Sequence, residues 1–110
     1  MTRPEGLDVL ELRTDQVRSI ARVTICGVNR PVRNRICNLT YEVICGEGIM
    51  AVEGELHELR PGVVVDVPAG QAYQDAGEVS FIVTSEPPFC PEQVEIAEPQ
   101  LPVSLSYQLQ

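Results

Sequence analysis

The sequence is a series of short apolar segments separated by turn residues, and this pattern constrains the fold more than any other feature. Extended segments are predicted at residues 6–12, 17–28, 33–45, 49–52, 56–59, 63–67 and 79–84. In the second of these, Val17, Ala21 and Ile25 lie on one face, as the period of two in a strand requires. Turn signals such as Asn29-Arg30-Pro31 and Glu53-Gly54 separate the segments, and Gly46-Glu47-Gly48 suits a tight turn or bulge because glycine accepts positive φ. With no amphipathic helix pattern, the chain is predicted to be all-β, a sandwich or barrel.

Length and charge limit the number of domains and the kinds of partner. A chain of 110 residues is long enough for one domain and too short for two. The net charge is −8, and all 8 basic residues are arginines. Without a basic stripe, nucleic acids and anionic membranes are not expected partners, and the absence of lysine excludes Schiff-base chemistry. No signal-peptide core or membrane-spanning apolar run is present, so a cytoplasmic protein with reduced cysteines is expected.

The C-terminal residues carry a separate strand signal. Val103, Leu105, Tyr107 and Leu109 alternate with polar residues after a proline-rich connector. This strand is predicted either to extend its own barrel or to pair with a second copy in a homodimer. The chain is therefore divided into an N-terminal strand or arm at 1–16, a barrel at 17–90, and a C-terminal arm at 91–110 that contains the alternating strand at 103–110.

Three motifs carry a resemblance to a known family. Gly62-x5-Pro68-x-Gly70-x2-Tyr73 has the spacing of the second cupin motif, and Tyr41 to Gly48 looks like the end of the first. Phe81 to Phe89 is similar to the closing strand and proline segment of small cupins. Residues 17–90 therefore resemble a small single-domain cupin. The resemblance implies a double-stranded β-helix, or jelly-roll barrel, whose mouth holds the functional site.

The chain departs from the cupin pattern at the positions that usually bind a metal. The His-x-His pair of the family falls on Arg33 and Arg35, the glutamate near Leu39, and the second-motif histidine on Tyr73. Guanidinium groups offer no lone pair and leucine offers no donor atom. No metal and no other cofactor is therefore predicted, and the metal-dependent chemistry of the family is not carried over.

The substitutions suggest what the barrel binds in place of a metal. Arg33 and Arg35 lie two residues apart, so both are expected to point into the barrel mouth. Guanidinium groups bind carboxylate or phosphate through paired hydrogen bonds, which favours a small anionic ligand. The predicted ligand-binding residues are Arg33, Arg35, Tyr41 and Tyr73. The alternative is that the arginines pair with acids of the chain: Glu42, Asp66 or Asp75.

Three classes of function stay open. The first is a metal-free small-molecule-binding protein. The second is a metal-independent isomerase, epimerase or cyclase with Tyr73 and His57 as candidate catalytic acid and base. The third is a structural or interaction module that dimerises through its C-terminal strand. A buried Tyr73 or His57 with a perturbed pKa favours the enzyme, whereas a barrel filled by side chains favours the structural module.

The cysteines give a weaker signal than the aromatic residues. Cys26, Cys37, Cys45 and Cys90 are widely spaced and show no C-x2-C pattern. They are expected to be buried apolar residues. The alternative is a thiolate site that includes His57 and assembles only in three dimensions.

Overall fold

The computed structural model describes residues 7–102, and within them the chain forms eight strands. The strands are β1 (Leu7–Thr14), β2 (Ser19–Val28), β3 (Val32–Asn34), β4 (Asn38–Val52), β5 (Glu55–Leu59), β6 (Val64–Val67), β7 (Ala72–Glu86) and β8 (Val94–Ile96). A single 3₁₀ turn at Pro91–Gln93 precedes β8. No helix in this part of the chain has the length and apolarity needed to span a bilayer. The all-β prediction is confirmed.

Strand β7 organises the sheet because it pairs with three other strands. All pairings are antiparallel, and the main path through the sheet is β1-β2-β7-β3-β8. Strand β4 pairs with β7 from Asn38 opposite Glu86 to Val52 opposite Tyr73, and also with β5 and β6. The sheet curls around these long strands as a half-barrel. The curl turns the inner faces of β2, β4 and β7 towards one cavity.

Side chains that point inward from alternate positions of β4 and β7 form much of the interior. The Phe81 side chain is fully buried and meets the Tyr41 ring edge-on at a centroid distance of 5.1 Å. Leu39, Tyr41 and Val43 face inward from β4, as the period of two requires. A smaller cluster of Ala51, Ala76 and Leu101 anchors the end of the described chain.

Several predicted boundaries differ from the observed ones. The predicted strand at 33–45 is interrupted at residues 35–37, because the Asn34 side chain accepts hydrogen bonds from the backbone N–H groups of Ile36 and Cys37. Gly46-Glu47-Gly48 does not turn the chain, since β4 continues to Val52 with a bulge between Val43 and Cys45. Strand β7 starts at Ala72 rather than Val79.

The predicted arms take part in the same sheet as the barrel. Strand β1 of the N-terminal segment pairs with β2 from Leu7 opposite Ile25 to Thr14 opposite Ser19. Strand β8, within the predicted C-terminal arm, pairs with β3. The alternating strand predicted at 103–110 lies outside the described residues.

Candidate functional site

A cavity of about 610 Å³ lies between the inner faces of β1, β2, β4 and β7. Most of its wall is apolar. These apolar residues are Leu7, Val9, Ile20, Ala21, Val23, Val32, Leu39, Val83, Phe89, Pro91, Val94 and Ile96. The polar residues that line it are Glu11, Ser19, Asn29, Arg30, Tyr41, Tyr73, Asp75 and Ser85. A largely apolar pocket with a few convergent polar groups is the usual form of a small-molecule site.

Tyr41 and Tyr73 form a buried hydroxyl pair in this cavity. The Tyr41 hydroxyl donates to the Tyr73 hydroxyl oxygen at 3.2 Å, and the two rings lie edge-on with centroids 5.8 Å apart. Burial raises the pKa of Tyr73 to about 12 and holds the pKa of Tyr41 well above its usual value. Both groups are therefore neutral hydroxyls at physiological pH. Because Tyr41 supplies the shared proton, the proton of Tyr73 is available to a ligand.

Asp75 places a buried carboxyl group on the same face of β7 as Tyr73. The two residues are separated by two positions, so strand alternation directs both side chains into the cavity. The Asn29 side-chain N–H donates to Asp75 Oδ1 at 2.6 Å. Burial raises the pKa of Asp75 to about 6, with the Asn29 hydrogen bond acting in the opposite direction. Among residues 7–102, no cation forms an ion pair with this carboxyl.

The turn after β2 is fixed so that Asn29 faces Asp75. The Asn29 backbone N–H donates to the Asp75 carbonyl at 3.0 Å, and the Gln74 side-chain amide donates to the Asn29 carbonyl at 2.9 Å. The Gln74 Oε1 atom in turn accepts the backbone N–H groups of Gln100 and Leu101. The orientation of the Asn29 amide is therefore set by a hydrogen-bond network that reaches the end of the described chain.

The structure corrects the predicted placement of Arg33 and Arg35. The Arg33 guanidinium donates to the Gly70 carbonyl at 2.9 Å and to Glu98 at 3.2 Å, and lies 3.6 Å from Glu95. Arg35 is exposed, and neither arginine lines the cavity. Asn34 is the buried residue of β3, at 2% exposure, so its neighbours point outward. Arg33 does pair with acids, but not with those that the sequence suggested.

Of the other predicted residues, Tyr41 and Tyr73 meet in the cavity and His57 does not. His57 lies on β5, half-buried, with Nε2 4.0 Å from Glu55 Oε1. The predicted acid–base pair of Tyr73 and His57 is therefore not brought together. The sequence pattern does not identify Asp75 and Asn29 as site residues. Asp75 follows Tyr73 at the spacing of two that defines a strand face, but the pattern predicts a strand only from Val79.

The residues present do not fit the metal site of the cupins. Of the four positions that correspond to the usual ligands, Arg33 and Arg35 point away from the cavity and Leu39 has no donor atom. Tyr73 remains, as a hydroxyl whose raised pKa opposes the ionised form that a metal would require. Within residues 7–102, no group of three or more His, Cys, Asp or Glu side chains is placed to hold a metal ion.

Comparisons with known proteins identify the fold. The sequence matches no protein family, and no curated protein is detectably similar to it. Streptomyces Pac13, solved with uridine and described as a nucleoside dehydratase, superposes with a TM-score of 0.79 at 18% identity over 88% of this chain and 82% of its own. KdgF from Halomonas gives a TM-score of 0.75 at 15% identity over 84% and 87% of the two chains. An RmlC-like cupin protein from Desulfovibrio desulfuricans gives 0.65 at 20% over 77% and 86%. The chain has the cupin fold, as its motifs predicted.

Proposed function

We propose that this cupin-fold protein binds a small neutral organic molecule in the cavity without a resident metal ion. The observation that carries the proposal is the buried cluster of Tyr41, Tyr73 and Asp75 in a cavity whose walls are mostly apolar. A volume of about 610 Å³ lies within the range of small-molecule sites. Homodimer formation through residues 103–110 stays a prediction.

The charges around the cavity favour a neutral ligand over an anion. The anionic ligand predicted from the sequence depended on Arg33 and Arg35, which lie outside the cavity. Arg30 is the one basic residue among the described lining residues, and Glu11 and Asp75 line the same cavity. An anion would therefore meet two carboxyl groups for one guanidinium. A molecule with an apolar body and a hydroxyl or carbonyl group suits the walls and the tyrosine hydroxyls better.

The first test places a large side chain in the cavity from β1, which is an edge strand of the sheet. N-phenyl-1-naphthylamine, a neutral probe that fluoresces in apolar surroundings, is expected to bind the wild-type protein. Val9 lines the cavity, whereas the next residue, Leu10, does not, and both are partly exposed on β1. Val9→Trp should weaken probe binding about tenfold or more, because the indole occupies the probe's volume. Leu10→Trp is the matched control and should bind as the wild type does. Equal binding by both variants, or no wild-type binding, would overturn the proposal.

The second test addresses the tyrosine hydroxyls. Uridine is the first ligand to try, because it is neutral, carries hydroxyl and carbonyl groups, and was solved in the similar fold of Pac13. Tyr73→Phe is expected to weaken uridine binding by about five- to tenfold, the usual loss for one neutral hydrogen bond. Binding of N-phenyl-1-naphthylamine should not change. Calorimetry on both ligands gives the comparison, and an equal loss for both would indicate a packing effect in place of a hydrogen bond.

A second candidate function is metal-independent acid–base catalysis. It is favoured by one observation: a carboxyl with a pKa of about 6 lies in the same cavity as two neutral tyrosine hydroxyls. The Asp75 carboxylate would remove a proton from a carbon next to a carbonyl, and Tyr73 would hydrogen-bond the oxygen on which negative charge develops. Returning the proton to carbon gives isomerisation or epimerisation. Delivering it to a departing hydroxide gives water and an alkene, which is the dehydratase outcome described for Pac13.

Substitution of Arg33 tests the prediction that the arginines bind the ligand. Its contacts join the chain around Gly70 to Glu95 and Glu98 outside the cavity. Arg33→Gln is expected to lower the free energy of unfolding by about 1 kcal/mol, the scale of a partly exposed ion pair with one backbone hydrogen bond. Uridine and the naphthylamine probe should bind with unchanged affinity. Weaker uridine binding at unchanged stability would instead indicate that Arg33 contributes to ligand binding.

A further inference from the structure

The Cys37 thiol is buried against the connector between β7 and β8. It is 1% exposed, and its Sγ lies 3.1 Å from the Pro87 carbonyl, 3.8 Å from the Pro88 carbonyl and 3.2 Å from Gln93 Oε1. These three contacts come from residues before and after Cys90. The Cys37 sulfur therefore faces the stretch of chain in which the second cysteine lies.

Cys90 is the accessible member of this pair. It is half-buried and begins the 3₁₀ turn, where its carbonyl accepts the Gln93 N–H at 3.0 Å. Its thiol donates to the Glu92 carboxylate. A negative charge on Cys90 would add to the rise in the pKa of Cys37 that burial causes. Cys26 and Cys45 are exposed and lie elsewhere, on the outer side of the sheet next to Glu78 and Ser80.

A second buried group, the Asn34 amide, lies beside Cys37, whose backbone N–H it accepts at 2.8 Å. Asn34 is 2% exposed, its Oδ1 accepts two backbone N–H groups, and its Nδ2 has no hydrogen-bond partner within the described residues. Burial raises the pKa of Cys37, and the adjacent Asn34 side chain opposes that rise. A buried N–H without an acceptor is costly, and a thiolate at Cys37 would supply the acceptor. The Asn34 amide thus offsets part of the rise in the Cys37 pKa that burial causes, in the direction of the thiolate that takes part in disulfide exchange.

We propose that Cys37 and Cys90 are a redox-modification site that closes to an intramolecular disulfide. The oxidant is a low-molecular-weight disulfide such as glutathione disulfide. The Cys90 thiolate attacks it and releases one glutathione thiolate; Cys37, having lost its proton to solvent, then attacks the Cys90 sulfur of the mixed disulfide and releases the second. Two protein thiols are oxidised and one glutathione disulfide is reduced to two glutathione molecules.

The bond would fasten the wall of the cavity to the β3–β4 turn. Phe89 and Pro91, on either side of Cys90, both line the cavity. In the reduced protein this connector is held by hydrogen bonds such as that from the Phe89 N–H to the Ser19 hydroxyl at 2.9 Å. A covalent link at Cys90 would restrict the outward movement of both lining residues. The proposal concerns the two thiols and does not depend on which ligand the cavity takes.

The experiment maps the disulfide in the full chain. The protein is equilibrated in a glutathione buffer rich in the disulfide, free thiols are blocked with N-ethylmaleimide, and the chain is cleaved after arginine and glutamate, except before proline. That cleavage places the four cysteines on separate peptides, at 23–33, 36–42, 43–47 and 79–92. About half of the molecules or more should carry a link between 36–42 and 79–92, with Cys26 and Cys45 alkylated. Cys90→Ser should abolish the link, and Cys26→Ser, the matched control, should keep it.

A second readout separates a native-state bond from one formed by unfolded chains. Amide hydrogen exchange in residues 87–96 should slow in the oxidised wild type and stay unchanged in oxidised Cys90→Ser. Three results would overturn the proposal: four free thiols in the wild type, a link that involves Cys26 or Cys45 instead, or glutathione that stays attached to Cys90 without transfer to Cys37.

Discussion

Asp75→Asn is expected to gain stability relative to the wild type as the pH rises, by about 3 kcal/mol in unfolding free energy between pH 3 and pH 8. The pKa of Asp75 is about 6 in the folded protein against an ordinary 3.8, and each unit corresponds to about 1.4 kcal/mol. Because the folded state binds the proton more tightly, the wild type carries no ionisation cost at low pH. The cost grows as the pH rises from about 4 and is complete above about 6. Asparagine never ionises, so the variant does not carry this cost.

The measurement is urea denaturation of both proteins across that pH range, with the difference in unfolding free energy as the readout. The asparagine oxygen can still accept the Asn29 N–H, so the local hydrogen bond is preserved. Asp66→Asn, at an exposed position outside the cavity, controls for the removal of one negative charge. A constant difference between wild type and Asp75→Asn at every pH would show that Asp75 is as well solvated in the folded state as in the unfolded chain.

The same substitution distinguishes binding from catalysis. If the cavity performs acid–base chemistry, Asp75→Asn should lose at least about a hundredfold in rate, because the amide cannot accept the proton. Exchange of carbon-bound hydrogen for deuterium in bound carbonyl compounds, followed by NMR in D₂O, measures that step directly. If the variant is the more stable protein, the wild type keeps the Asp75 carboxylate at a cost in stability, which is common at functional sites. Ligand binding without any deuterium exchange in the wild type would support the small-molecule-binding proposal and contradict the acid–base catalysis proposal.

Gly46→Ala is expected to lower the free energy of unfolding by about 3 kcal/mol or more. Gly46 has a φ of 88°, and a Cβ there would lie 2.1 Å from the Glu78 carbonyl oxygen and 2.8 Å from the Val79 Cα. Both atoms belong to the backbone of β7, which cannot move aside without breaking its pairing with β4. Left-handed backbone costs about 1–2 kcal/mol for alanine, and overpacking adds about 1–3 kcal/mol.

Gly54→Ala is the matched control because it isolates the backbone term. Gly54 has a similar φ of 81° in the turn between β4 and β5, and a Cβ added there would meet no atom within 4 Å. Its substitution should cost about 1–2 kcal/mol through the backbone alone. The losses of unfolding free energy in the two variants, measured from denaturant curves, should therefore differ by the contribution of steric overlap at position 46. Equal losses would mean that β7 yields to the methyl group at position 46 and that close strand approach is not the reason for the glycine.

Gly46 and Gly48 show what a local motif reveals and what it leaves out. The spacing of Gly46-Glu47-Gly48 indicates a tight turn or bulge, and Gly46 does adopt the positive φ that such features use. The chain nevertheless continues as β4 without turning, and the backbone of β7 lies close against both glycines. A local pattern reveals that a side chain is not tolerated, but the neighbouring strand that excludes it is distant in sequence.

The error in the arginine placement has a similarly specific origin. Strand alternation from Tyr41 back to Arg33 assigns both arginines to the inner face if the strand is continuous. The Asn34 side chain instead caps a bend at residues 35–37, and one change of parity there turns Arg33 outward and Asn34 inward. Because successive side chains alternate, a shift of one residue reverses the face of every residue beyond it. The bulge between Val43 and Cys45 has the same effect and exposes Cys45.

Residue types and spacing were enough to predict the all-β class, the cupin resemblance, the departure from the metal-ligand pattern, and two of the cavity-lining residues, Tyr41 and Tyr73. Those features depend on residue type and on spacing within one strand, which are local properties. Three placements became apparent only from the folded structure: Asp75 and Asn29 join the tyrosines, Arg33 and Arg35 face away from them, and Cys37 lies against the connector containing Cys90. These placements depend on register, bends and curl of the sheet, which arise from contacts between distant parts of the chain.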